Sequence, residues 1–142
     1  MKENKQVRTV CSVFIKKDGK FLLVYDPFFR AWRVPGGKLE KHESVEDCAI
    51  REIKEELKIK IKNPEFIGFG QDDHVAYFKK LDYKKRCPRL ILYFMTETKD
   101  KITPDPVEIS KFKWLTLSEI KKHSNKEGAL EDLFKRNINL RF

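Results

Sequence analysis

Residues 37–59 read Gly37-Lys-Leu-Glu-Lys-His-Glu43-Ser-Val-Glu-Asp-Cys-Ala-Ile-Arg51-Glu52-Ile53-Lys-Glu55-Glu56-Leu-Lys58-Ile59. Glu40, Glu43, Glu46, Asp47, Glu52, Glu55 and Glu56 are set against only Lys41, Arg51 and Lys54, so residues 40–56 carry a net charge of −4. The whole chain carries +9, which leaves +13 outside this stretch. Ser44 and Asp47 form an S-x-x-D start signal, and Val45, Ala49, Ile53 and Leu57 follow at four-residue steps. The pattern predicts a helix that starts at Ser44, buries that apolar stripe and ends near Leu57 or Lys58. Glu52, Glu55 and Glu56 are three and four apart on it and repel one another. At roughly 100° per residue, Glu52 and Glu56 border the apolar stripe and Glu55 is the more open. A half-buried carboxylate without a partner has a raised pKa and destabilises the fold. A divalent cation removes that conflict, and oxygen donors suit Mg²⁺ or Mn²⁺. The plainer reading is a solvated acidic face. It fits poorly, because two of the carboxylates point toward the packed side.

The stretch resembles the Nudix box, G-x5-E-x7-R-E-U-x-E-E-x-G-U, where U is a bulky aliphatic residue. Gly37, Glu43, Arg51, Glu52, Ile53, Glu55, Glu56 and Ile59 take its defined positions, and Lys58 replaces the last glycine. The segments Trp32-Arg33-Val34-Pro35-Gly36-Gly37 and Phe112-Lys-Trp114-Leu115 also look like the family. The resemblance to Nudix hydrolases of the MutT-like kind implies an α/β fold: an α/β/α sandwich with a mixed sheet, the box forming loop–helix–loop. It implies that Glu52, Glu55 and Glu56 bind the metal, with a carbonyl at Gly36 adding a ligand. One of the glutamates, often the one at Glu52, deprotonates water. Arg51 holds a carboxylate by a bidentate contact, and Glu43 supports the loop or an outer metal shell. Arg33, Gly37 and Lys38 are candidate substrate contacts. The implied reaction is hydrolysis of the pyrophosphate in a nucleoside diphosphate linked to another group. A MutT-like nucleoside triphosphate pyrophosphatase comes first. ADP-ribose or a nucleotide sugar, an RNA 5′ end, and a non-catalytic nucleotide-binding regulator are the alternatives.

Lys58 departs from the box. A glycine there ends the helix in the left-handed conformation, which costs a lysine roughly 1–2 kcal/mol. Its charge offsets part of this at the negative helix end. Gly36 and Gly37 are expected to supply positive φ and a close backbone approach to phosphates.

At 142 residues the chain reads as one domain, 1–142, able to bury its own core. No apolar run approaches a membrane span. The opening Met-Lys-Glu-Asn-Lys-Gln lacks an apolar signal core, so a cytoplasmic location is expected. Cys11, Cys48 and Cys87 are odd in number and widely spaced, and read as core residues. The positive charge suits nucleotides, pyrophosphates or RNA. A Lys/Glu-rich solvated surface is the plain counterpart.

Outside the box, residues 7–15 read as a strand, with Asp18-Gly19 turning the chain into a hairpin partner at Phe21–Tyr25. Trp32–Val34, Phe66–Gly70, Leu90–Thr96 and Lys111–Leu115 read as strands, and Leu117–His123 and Glu127–Arg136 as helices. Pro35-Gly36-Gly37 reads as a break. Asp72, Asp73 and His74 read as a polar loop, with contact to metal or substrate as the alternative. Glu97 and Glu108 are both candidates for a further carboxylate. Phe28, Phe29, Trp32, Tyr77, Phe78 and Tyr83 are core or base-stacking residues. Lys79, Lys80, Lys84, Lys85, Arg86 and Arg89 belong to a solvated loop or contact phosphates.

Overall fold

A computed structural model describes residues 7–78 and 83–136, with side chains for 7–73 and 88–136. The elements run β1 (Arg8–Lys17), β2 (Lys20–Asp26), β3 (Ala31–Arg33), β4 (Gly36–Lys38), α1 (Val45–Leu57), β5 (Glu65–Phe78), β6 (Tyr83–Glu97), β7 (Phe112–Leu115), α2 (Leu117–Lys122) and α3 (Gly128–Arg136).

β1 is the centre. Its side chains alternate between the two faces of the sheet, and both faces are covered. Cys11, Val13 and Ile15 pack with Ala49, Ile53 and Leu57 of α1. Val10 and Phe14 pack with Ile120 of α2 and Leu130 and Leu133 of α3. β2 divides in the same way, Leu22 and Val24 on the first side and Phe21 and Leu23 on the second. Helices on both sides of a mixed sheet make the expected α/β/α sandwich.

The sheet order is β3-β2-β1-β6-β5, with β4 on β1 and β7 on β2. β1 and β6 are parallel, from Arg8↔Arg89 to Lys16↔Glu97. Asp18 and Gly19 both have positive φ, 51° and 77°, as a tight hairpin turn requires. β1 pairs β2 close to that turn, at Lys16↔Phe21 and Lys17↔Lys20. Toward its start it pairs β4, at Val10↔Lys38, Cys11↔Gly37 and Ser12↔Gly36. The two partners share one edge of β1.

Three sequence expectations change. Gly36–Lys38 is a strand, not a break, because the glycines let it lie flush on β1: a Cβ at Gly36 would meet the Cys11 carbonyl and Ser12. Neither Gly36 nor Gly37 has the expected positive φ. Asp72, Asp73 and His74 lie within β5, opposite Arg89, Pro88 and Cys87 of β6, not in a loop. Cys11 and Cys48 are free and buried as expected. Among the described residues no helix is long and apolar enough to cross a membrane. The expectations for Tyr77, Phe78, Tyr83, Lys79, Lys80, Lys84, Lys85, Arg86 and Cys87 as side chains lie outside the described residues.

Candidate active site

The site is built on α1. The Ser44 hydroxyl accepts from the Asp47 N–H at 3.1 Å, which satisfies one free donor of the first turn. The helix closes at Lys58, which is left-handed as expected (φ 60°, ψ 31°), with its N–H bonded to the Lys54 carbonyl at 3.0 Å. The Lys58 ammonium donates to the Glu55 carbonyl at 2.9 Å, so the side chain caps the helix that its backbone ends.

Arg51 gathers the acidic groups. Its Nε and Nη2 donate to the two oxygens of Glu43 at 2.6 and 2.9 Å, a bidentate contact. Nη1 donates to Glu52 Oε1 at 2.8 Å and to the Glu55 carboxylate at 3.4 Å. Nη2 also donates to the Lys38 carbonyl at 3.1 Å, tying the helix to β4. Hydrogen bonds from Arg51 hold the Glu43 carboxyl at about 2. Burial raises the pKa of Glu52, against the pull of Arg51.

Glu56 is the buried member of the trio, 2% exposed. Arg33 Nη2 donates to its Oε1 at 3.3 Å, while Arg33 Nε donates to Asp26 Oδ2 at 2.9 Å. Oε2 of Glu56 is buried with no hydrogen-bond partner among the described residues. Burial lifts this carboxyl to about 7, although Arg33 works against the shift. Glu55, with a side chain 53% exposed, is the open member of the trio.

These groups open onto a cleft of about 600 Å³ lined by Arg33, Gly36, Gly37, Lys38, Glu52 and Glu56, and also by Arg8, Phe28, Val107, Glu108 and Glu127. Gly37 is small for a reason: a Cβ there would sit on the Glu52 carboxylate. Of the two further acidic candidates, Glu108 lines the cleft, while Glu97 pairs with Lys16 at 3.9 Å on an exposed surface. Arg33, a candidate substrate contact, lines the cleft and holds Glu56 and Asp26. Lys38 reaches the cleft lining with an exposed side chain. Trp32, a candidate for stacking a base, is absent from the lining; it packs edge-on to Tyr25 and under the Lys113 ammonium at 4.1 Å.

Arg89 lies buried in β6 and not in a solvated loop, while Asp26, Tyr93 and Glu127 escape sequence reading. Arg89 is buried and forks onto Asp72 (2.9 and 2.6 Å), with Glu127 Oε2 3.1 Å from its Nη2. Tyr93 donates to Glu127 Oε1 at 3.0 Å. Asp26 in turn accepts from Arg33 and from the Phe28 and Phe29 N–H groups. Partners so far apart leave no local pattern, although an acid just before α3 is the kind of signal that marks Glu127.

Among the described residues, no three carboxylate, thiol or imidazole groups are gathered closely enough to ligate an ion as they stand. Arg51 and Arg33 hold the oxygens instead. The donor set nonetheless fits a hard divalent cation. Glu56 Oε2 is a buried oxygen in need of a positive partner, and Glu52 and Glu108 share its cleft.

The NUDIX domain model matches residues 5–135. Among curated proteins the chain is 31% identical over 109 residues to Nudix hydrolase 8 of Arabidopsis thaliana, covering 77% of this chain and 27% of that one. It is 26% identical over 110 residues to the NAD-capped RNA hydrolase NudC of Vibrio parahaemolyticus, covering 76% and 38%. The chain therefore spans well under half the length of these relatives. Its fold is similar to the crystal structure of a MutT protein from Methanosarcina mazei Go1, with a TM-score of 0.75 and 20% identity over 95% of each chain. With a family model spanning both helical layers and the sheet between them, the chain belongs to the NUDIX domain family.

Proposed function

We propose that the chain is a Mg²⁺- or Mn²⁺-dependent hydrolase that splits the pyrophosphate of a nucleoside diphosphate linked to another group, with nucleoside triphosphates as first substrates. The observation that carries this is the buried Glu56 Oε2, without a hydrogen-bond partner among the described residues, in one cleft with Glu52. Glu52, Glu55 and Glu56, with the Gly36 carbonyl, would hold the metal. When bound, a divalent ion neutralises diphosphate charge and acidifies water. Glu52 is the group to accept the proton of the attacking water, since burial brings its pKa toward the range of a working base. Arg51 fixes that carboxylate's direction at 2.8 Å. Arg8 and Lys38 on the lining add positive charge for the phosphates. NudC by its name acts on NAD-capped RNA; nucleotide sugars and RNA 5′ ends present the same diphosphate.

The test is a turnover screen of the purified chain with Mg²⁺ against nucleoside triphosphates, ADP-ribose, nucleotide sugars and 5′-triphosphate RNA, with and without chelator. A chelator is expected to abolish turnover, and Glu56→Gln to remove most of it while the fold persists. Full activity in Glu56→Gln would remove Glu56 from the machinery. Silence toward every substrate would favour a nucleotide-binding regulator.

A further inference from the structure

Residues 111–126 hold Lys111, Lys113, Lys121, Lys122 and Lys126 against Glu119 alone, a net charge of +4 for which the proposed reaction has no use. The core of this cluster lies on the sheet face opposite α1. Lys113 pairs with Leu23, and Leu23, Trp32 and Leu115 belong to the apolar core under α2 and α3.

Lys111 and Lys113 reach one aromatic pair. The Lys113 ammonium lies 4.1 Å over the Trp32 ring, and that of Lys111 lies 4.4 Å over Tyr25 and 5.7 Å over Trp32. Lys113 Nζ is also 2.6 Å from His123 Nε2. His123 Nδ1 accepts from the Asn125 N–H at 3.2 Å. A neutral imidazole has one N–H and one free lone pair. With Nδ1 accepting, Nε2 carries the proton and points it at an ammonium. Lys126, the next cation, donates to the His123 and Lys121 carbonyls at 3.0 Å. Burial and the charges of Lys113 and Lys126 lower the His123 pKa. No carboxylate answers this charge. Glu119 is occupied at the start of α2, where it accepts from the Thr116 N–H at 3.0 Å. Among the described residues none of Lys111, Lys113, His123 and Lys126 forms an ion pair. Two ammonium groups and an imidazole N–H therefore converge without an acceptor between them.

We propose that Lys111, Lys113 and His123 bind a phosphate dianion, free or as a terminal monoester, at a site outside the cleft. An oxygen placed between Lys113 and His123 accepts from both and removes the donor–donor contact. A tetrahedral dianion serves several donors at once and answers two ammonium groups, where a carboxylate answers one. A stacked base is a poor occupant, because Lys113 already covers the Trp32 face. The site stands whether or not the cleft is a pyrophosphohydrolase centre.

Imidazole ¹H–¹⁵N NMR of the full chain with chelator present tests it, with inorganic phosphate titrated against chloride at constant ionic strength. The His123 signals are identified by their loss in His123→Gln. They should move saturably with phosphate and not with chloride, and the His123 titration midpoint should rise by about one pH unit when phosphate is bound. Lys113→Met should weaken phosphate about tenfold, as loss of one charged hydrogen bond predicts, and Lys111→Met by a smaller factor. Lys111 is exposed, so that variant keeps the fold even where Lys113→Met does not. Lys135→Met, an equal charge change on a 74% exposed side chain of α3, should bind phosphate as the wild type does. Methyl phosphate is run beside phosphate: the tighter of the two names the source, and either supports the site. Three results would overturn the proposal: His123 signals unmoved by phosphate, equal weakening in Lys135→Met and Lys113→Met, or dimethyl phosphate binding as tightly as phosphate. The last would point to a nucleic-acid backbone instead.

Discussion

At the residue scale, Gly37 and Glu52 are one unit. Because a Cβ at Gly37 falls on the Glu52 carboxylate, Gly37→Ala is expected to push that side chain off Arg51. Turnover should drop at least about tenfold, roughly the loss of one oriented hydrogen bond to a charged group, with little change in melting temperature. Gly36→Ala should differ, since its Cβ meets the backbone of β1 and cannot be relieved by a rotamer. That variant should melt several degrees lower, or fail to fold. Equal melting of the two variants would contradict the assignment. The acidic trio and Arg51 were legible because they share one helix, where spacing fixes direction. Asp26, Arg89 and Glu127 were not, because their partners lie elsewhere in the chain: Arg33, seven residues from Asp26, on another strand, and Asp72 and Glu127, 17 and 38 residues from Arg89.

At the element scale, α1 follows its sequence signals from cap to cap. Ser44 starts it, the stripe buries it and Lys58 ends it in the left-handed region. Lys58→Gly should relieve that strain and stabilise the protein by about 1 kcal/mol, less than the full penalty because the ammonium bond to the Glu55 carbonyl is lost. Lys58→Ala should be less stable than either, since it keeps the Cβ and loses the charge. Thermal melting orders the three, and turnover should be unchanged. Arg51→Lys loses the fork that joins Glu43, Glu52 and the Lys38 carbonyl. It should lower turnover more than it lowers the melting point, because a lysine cannot span those acceptors. β4 was misread because Gly-Gly carries no strand preference. Its pairing is dictated by β1, and only the assembled sheet shows it.

At the scale of the molecule, one buried carboxyl couples stability to pH and to cation. Glu56 titrates at about 7 in the fold against an ordinary value of 4.5. Between these values the native state holds a proton that the unfolded chain has released. Glu56 therefore leaves stability untouched at pH below 4.5 and subtracts from it as pH rises through 7, by roughly 3 kcal/mol in full. In urea unfolding with chelator, the wild type should lose more stability from pH 5 to pH 8 than Glu56→Gln. Added Mg²⁺ should close most of that gap. Parallel slopes without metal would show that Glu56 is not strained when charged. The layered plan itself was legible, since strands with a helical stripe between and after them leave few arrangements. The parallel partner of β1 was not, because nothing local to residues 8–16 points to residues 89–97. That pairing has a consequence during synthesis. All the box residues are made before β6, so α1 can pack on β1 and β2 while the far edge of β1 stays open for a strand made some eighty residues after it. A nascent chain stalled before residue 89 carries the whole Nudix box and lacks the strand that completes the sheet behind it; chaperone capture at that length, released once residue 97 is added, would mark the step.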